Sequence, residues 1–159
     1  VSCKINNCIP HEAEIIERMV EVSRQSHKLQ LPMFGMIYAR GEFLNIMEGD
    51  STLGNAHAAR LAFELGCDAA KTVWTGDPES FSETCQAVPI PLLVAGGPST
   101  GDSLAILEMV RTALDCGASG VCMGRQVFSH PEVEQIAKAI VLLVHHDYSV
   151  KDAMASCGL

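Results

Sequence analysis

The segment Ile90-Pro91-Leu92-Leu93-Val94-Ala95-Gly96-Gly97-Pro98-Ser99-Thr100-Gly101-Asp102-Ser103 reads in three steps. The run Leu92-Leu93-Val94 shows no polar alternation, as expected of a strand buried on both faces. Gly96 and Gly97 follow at once, letting backbone N–H groups approach an anion closely, and a helix starting near Asp102 adds positive potential. Strand, glycine pair and helix make the junction of a parallel βα unit. The segment is not a P-loop, because Asp102 stands where such a loop needs lysine and a carboxylate there repels phosphate. It also lacks the G-x-G-x-x-G spacing of dinucleotide folds.

Outward from this junction the same alternation recurs. Candidate strands are Val1–Asn6, Pro32–Tyr38, Asp68–Thr72, Ile90–Ala95 and Ser119–Met123; candidate helices are Pro10–Leu29, Gly54–Leu65, Pro78–Gln86, Asp102–Cys116 and Pro131–Val144. Apolar residues fall at helical spacing in three of them: Ile15, Ile16, Met19 and Val20; Leu107, Val110 and Leu114; Val133, Ile136, Ala137 and Ile140. Asp77 before Pro78, and Ser129-His130 before Pro131, supply start signals, while Gly66 and Gly117 supply stops. Five units over 159 residues give about 32 residues each, against about 31 in an eight-unit barrel of ~250 residues. The chain is therefore expected to be one α/β domain over residues 1–159, the C-terminal five βα units of a (β/α)8 TIM barrel. About 90 residues of the N-terminal part are then missing before Val1, by the same unit length. An open, flavodoxin-like five-stranded sheet also fits the length, but glycine junctions on the last two strands favour the barrel.

Composition narrows the function. Hydrophobic residues make up 48% and aromatic residues 5%, and 11 Lys+Arg against 19 Asp+Glu give a net charge of −8. That balance argues against nucleic acid as a partner, yet it tolerates an anionic small molecule held by a few local donors. No apolar run approaches the ~18 residues of a membrane span, and no signal-peptide pattern is visible. Seven cysteines at irregular spacings, with no C-x-x-C, read as reduced structural thiols of a cytoplasmic protein. His145-His146-Asp147 resembles a metal cluster only on paper, since adjacent helical residues point about 100° apart. Neither metal nor cofactor is predicted.

In a parallel barrel, reactive groups gather at the C-terminal ends of the strands. Lys71, one of five lysines, sits in the candidate strand Asp68-Ala69-Ala70-Lys71-Thr72. Burial there favours the neutral amine, which can attack a ketone and form a Schiff base; an ammonium reaching past the strand end into water is the other reading. Tyr38 ends Met33-Phe34-Gly35-Met36-Ile37-Tyr38, either as a proton carrier or as a core tyrosine with its hydroxyl satisfied nearby. Arg40 could hold a phosphate or carboxylate, or pair with an acidic neighbour. Gly120-Val121-Cys122-Met123-Gly124-Arg125 repeats the strand–glycine pattern and adds a cation. With Gly96 and Gly97, Gly124 and Arg125 form the phosphate site expected after strands seven and eight of a barrel.

The stretch Ala58-Ala59-Arg60-Leu61-Ala62-Phe63-Glu64-Leu65-Gly66-Cys67-Asp68-Ala69-Ala70-Lys71-Thr72-Val73-Trp74-Thr75-Gly76-Asp77-Pro78-Glu79-Ser80-Phe81 resembles the lysine-bearing strand of the archaeal-type class I aldolases. Tyr38-Ala39-Arg40-Gly41, Val94-Ala95-Gly96-Gly97-Pro98, Gly124-Arg125-Gln126-Val127-Phe128 and Val144-His145-His146-Asp147 resemble the same family in order and spacing. That family includes fructose-bisphosphate aldolases and 2-amino-3,7-dideoxy-D-threo-hept-6-ulosonate synthases. The resemblance implies a (β/α)8 barrel, a Schiff base on Lys71 and proton transfer by Tyr38. It also implies a phosphorylated sugar bound by Gly96, Gly97, Gly124 and Arg125, and a homo-oligomer when full length. Ala39, Trp74 and Gln126 depart from the usual Pro, Tyr and Asn, changes that could retune substrate fit. The family's catalytic aspartate belongs to the part before Val1. A non-catalytic phosphosugar-binding barrel is the alternative from another class.

Five of eight strands leave two open sheet edges. The 159-residue chain expressed alone is thus expected to be inactive and poorly soluble or molten; a sharp, cooperative thermal melt would contradict this.

Overall fold

Parallel neighbours can be joined only by crossovers, and here the crossovers are helical. The computed structural model describes residues 2–7, 11–39, 51–96 and 101–159, with the backbone alone for 2–7 and for Ser51. Strands β1 (Ser2–Asn7), β2 (Phe34–Ala39), β3 (Ala69–Val73), β4 (Leu92–Ala95) and β5 (Gly120–Cys122) form one sheet in the order β1-β2-β3-β4-β5. Every neighbouring pair is parallel. Sequential order without reversal removes the flavodoxin-like alternative, which needs a switch point within its sheet. Helices α1 (Glu12–Lys28), α2 (Ser51–Glu64), α3 (Pro78–Gln86) and α4 (Ser103–Asp115) alternate with the strands. Helices α5 (Arg125–Phe128), α6 (Val133–His146) and α7 (Val150–Cys157) follow β5.

Most boundary signals act as the sequence predicts. The Asp77 carboxylate accepts from the Ser80 N–H at 3.0 Å, with Pro78 as the first helical residue. Gly66 and Gly117 have φ of +81° and +108°, where a side chain is strained, and each follows a helix end. The last signal fails. Helix α6 starts at Val133 rather than Pro131, and Ser129 closes the short α5 instead of capping α6. The cause is His130, which is buried and uses its Nδ1 to accept from the Glu132 N–H at 3.0 Å. Helix α7 was not foreseen; the Ser149 hydroxyl caps it, accepting from the Asp152 N–H at 3.1 Å.

Burial in the strands alternates although their sequence does not. Gly35 and Ile37, Ala70 and Thr72, Leu92 and Val94 are buried, while Met36, Tyr38, Lys71, Val73, Leu93 and Ala95 between them are half-buried. The helices cover one face; among the described residues the other is only partly covered, so burial on both faces holds for one. Helix faces also sit differently from the expectation, since Val20 and Val133 are exposed. Met19, Ser23 and Ser26 turn inward on α1, as do Ile136, Ala139, Ile140 and Leu143 on α6.

Three clusters fill the helix-covered side. Alanines 58, 59 and 62 of α2 pack with Met33, Ile37, Ala70 and Leu92. Ile106, Leu107 and Val110 of α4 meet α6 and α7. Phe81, fully buried, joins Val94 and Ala113, and Trp74 leans on its ring at 4.9 Å. Cys85, Cys116, Cys122 and Cys157 are free thiols, and burial pushes Cys85 up to about 11, with Cys116 adding to the effect. Phe81→Ala should destabilise the full-length protein by about 3–5 kcal/mol, because α3 and α4 cannot both collapse into the space. Denaturant midpoints of parent and variant measure this; a loss under 1 kcal/mol would contradict it.

Candidate active site

Parallel strands bring all their C-terminal ends to one edge of the sheet, so residues distant in sequence meet there. The register sets their heights. Lys71 lies beside Leu93, and Val73 beside Ala95, which in turn pairs with Cys122. Gly96 is thus three residues above the Lys71 level, about 10 Å at the usual rise per residue. On the other side of β3, Phe34 pairs with Ala69 and Gly35 with Ala70. Carried forward, that register sets Met36 beside Lys71 and makes Tyr38 its diagonal neighbour, with α-carbons about 8 Å apart.

Alternation decides which way these side chains point. Gly35 faces α2 so closely that a Cβ there would lie 2.8 Å from Cys67 Sγ and 3.2 Å from Ala62 Cβ. Ala70 and Thr72 belong to the same buried side, so Lys71 projects from the face that the helices leave open. Tyr38 shares that face with it. Both are half-buried rather than enclosed, so the desolvation expected at Lys71 is only partly in place among the described residues. Trp74 turns to the helix side, against Phe81, and does not line the Lys71 face.

The loop ends are built differently from the expectation in one respect. The Asp102 carboxylate accepts from the Ala105 N–H at 3.1 Å, so the positive end of α4 is already met by an acidic cap. An anion above this edge must rely on the glycine amides and on Arg125, which is exposed at the start of α5. Gly96 and Gly124 are the parts of the predicted phosphate loops that can be followed; Arg40 and Gly97 lie outside the described residues. No group of three metal-ligating side chains occurs among the described residues, and no described helix is long and apolar enough to cross a membrane. A groove of about 560 Å³ between α6 and α7, lined by Ala137, Val141 and Leu142 among others, holds none of the predicted site residues.

Residues 10–130 match the family model described as DeoC/LacD family aldolase. The chain belongs to this aldolase family. It is 39% identical, over its whole length and 58% of the relative's, to a 2-amino-3,7-dideoxy-D-threo-hept-6-ulosonate synthase of Halobacterium salinarum. A 2-amino-4,5-dihydroxy-6-oxo-7-(phosphonooxy)heptanoate synthase of Streptomyces griseus is 33% identical, over 99% of this chain and 57% of its own. Among solved structures, an archaeal fructose-1,6-bisphosphate aldolase with its catalytic lysine covalently bound to the carbinolamine intermediate of the substrate matches with a TM-score of 0.83. It is 32% identical over 91% of this chain and 57% of its own. The chain thus spans less than three-fifths of the curated relatives it matches.

Sequence reading of this aldolase-family chain gives Ser103 no role, His130 only a place in a helix start signal, and Gln126 only that of a departure. Gln126 is buried and donates from Nε2 to the Gly96 carbonyl, and Ser103 Oγ meets His130 Nε2 at 3.1 Å. The signal available for them was position alone, since each flanks a glycine junction or a helix start. Gly96 is the tighter of the two described glycines. A Cβ there would lie 2.8 Å from Gln126 Cγ and 3.1 Å from Met123 Cγ, whereas at Gly124 it would meet only the ring of the exposed Phe128, at 3.0 Å. Gly96→Ala should therefore destabilise the full-length protein by about 1–3 kcal/mol, and Gly124→Ala should stay within about 0.5 kcal/mol. Thermal melts of the two variants side by side test this, and equal losses would contradict it.

Proposed function

We propose that the chain forms the C-terminal five βα units of a (β/α)8 barrel and belongs to a class I aldolase. In this reading Lys71 forms a Schiff base with a phosphorylated ketose. The observation that carries it is the register. A lysine on the open face of β3 stands about 10 Å below the glycine junctions of β4 and β5, at the same edge of the sheet. A ketose whose phosphate sits at those junctions would bring its carbonyl within reach of the long lysine side chain. Membership of an aldolase family, and likeness to a solved aldolase whose lysine bears a carbinolamine, support the same role.

The chemistry follows from a neutral amine. The Lys71 nitrogen lone pair attacks the ketone carbon to give a carbinolamine. A general acid protonates its hydroxyl, which leaves as water, and the nitrogen lone pair closes the protonated imine. That cation is an electron sink: the hydroxyl proton of the leaving fragment passes to Tyr38, the neighbouring C–C bond breaks, its electrons pass into the imine as an enamine, and the fragment leaves as an aldehyde. Tyr38 returns a proton to the enamine carbon, and water hydrolyses the imine to free the lysine. Gly96, Gly97, Gly124 and Arg125 hold the phosphate and fix the carbonyl over Lys71; Arg40 is a further anion contact. No cofactor is needed, because the imine supplies the electron sink. The free thiols of Cys85, Cys116, Cys122 and Cys157 support a reducing, cytoplasmic setting.

A second reading keeps the lysine and the phosphate grip but hands the enamine carbon to another carbonyl acceptor, a transaldol transfer. The 39% identity to a hept-6-ulosonate synthase, against 32% to the fructose-bisphosphate aldolase, favours it. Triose-phosphate release from fructose 1,6-bisphosphate, measured against the transfer reaction, separates the two. Borohydride reduction in the presence of substrate should trap an adduct on Lys71 of the full-length protein. Lys71→Ala should lower turnover by on the order of a thousandfold or more. Reversible phosphate-ester binding without a trapped adduct would establish the non-catalytic barrel instead.

A further inference from the structure

Two side-chain bridges tie the β4 junction to the segment after β5. Gln126, 6% exposed, donates from Nε2 to the carbonyl oxygen of Gly96. His130, 4% exposed, meets the hydroxyl of Ser103, the first residue of α4, at 3.1 Å. The direction of the second bond is set by the ring's other nitrogen. His130 Nδ1 accepts from the Glu132 N–H, so in the neutral ring Nε2 carries the hydrogen and donates to Ser103 Oγ.

Orientation at Gln126 is also forced. A carbonyl oxygen only accepts, so the side chain must offer its NH2 group to Gly96, and Oε1 is left buried without a partner. An orphaned buried acceptor is a cost that an apolar side chain of the same length would avoid. The position is thus held for its donor. That donor acts on the backbone of Gly96, directly after the last residue of β4. The Ser103–His130 bridge ties the first residue of α4 to the same segment after β5.

We infer that Gln126, Ser103 and His130 are positioning residues that lock the β4 and β5 junctions into one anion-holding unit and so set the distance from phosphate to Lys71. The inference rests on the phosphate-binding reading of those junctions. Gln126→Met keeps the length and volume of the side chain but loses the donor, and Ser103→Ala suits the first turn of a helix. In the full-length protein each should raise the dissociation constant for inorganic phosphate about threefold to tenfold, the range for a lost hydrogen bond. Ser103→Thr, which keeps the hydroxyl, should bind phosphate as the parent does. Borohydride trapping on Lys71 gives the readout that simple destabilisation would not produce. At subsaturating ketone, the adduct with dihydroxyacetone phosphate should fall in both variants, while the adduct with phosphate-free dihydroxyacetone should not change. Unaltered phosphate affinity in both variants of a phosphate-binding parent would overturn the positioning role, as would equal losses with the two ketones. A parent that binds no phosphate would overturn the reading beneath it instead.

Discussion

Helix α2 can approach β2 as closely as it does because position 35 carries no side chain and positions 58, 59 and 62 carry only methyl groups. That close seat fixes which face of β2 is covered. Through the pairing of Phe34 with Ala69 and Gly35 with Ala70, it fixes the covered face of β3 as well. A second device pins the same register at its entry. Met33 N–H donates to the Asp68 carboxylate at 2.6 Å, and Asp68 N–H donates back to the Met33 carbonyl at 2.8 Å. A slip of one residue would reverse the strand's faces, burying Lys71 against α2 and exposing Thr72. The orientation of the proposed nucleophile is thus a consequence of small residues on a different strand and helix.

How much of this could be read from the sequence depends on what each signal encodes. The strands, the glycine stops and the Asp77-Pro78 start are local, and they stand within two residues of where they were expected. Ser129-Pro131 misled because a start signal is local chemistry, whereas His130 is claimed by a tertiary contact with Ser103. Helix α7 escaped notice because eight residues give too short a periodic stretch, though Ser149 and Gly158 bracket it. Apolar strands on both faces conceal which face the helices cover. Only Gly35 against Cys67 and Ala62 resolves that, and such a contact has no signature along the chain.

The site residues divide in the same way. As candidates, Lys71 and Tyr38 were legible because a lysine or tyrosine in an apolar strand needs an explanation, and the glycine junctions because few other roles suit them. Gln126, Ser103 and His130 were not, because their importance lies in what they touch. Asp102 shows the reverse error. A helix start after a glycine loop suggests an anion site, but the start of α4 is already satisfied by its own carboxylate. That leaves the backbone amides of the junctions and Arg125 as candidate donors, and amides hold an anion only as well as their loops are held. Bridges such as Gln126 to Gly96 therefore matter more here than they would at an uncapped helix.

Stability and chemistry make the same demand on this sheet. Among the described residues β1 and β5 each pair on one side only, and the face that bears Lys71 and Tyr38 is half-buried. An unpaired strand edge invites association with another chain. An amine that must be neutral to attack a carbonyl is helped by exclusion of water, which a half-covered face provides poorly. Closing the sheet from β5 round to β1 would pair both edges and enclose Met36, Leu93 and Lys71 together. The step that completes the hydrogen bonding is then the step that desolvates the nucleophile, so a barrel built on these strands cannot gain the one without the other.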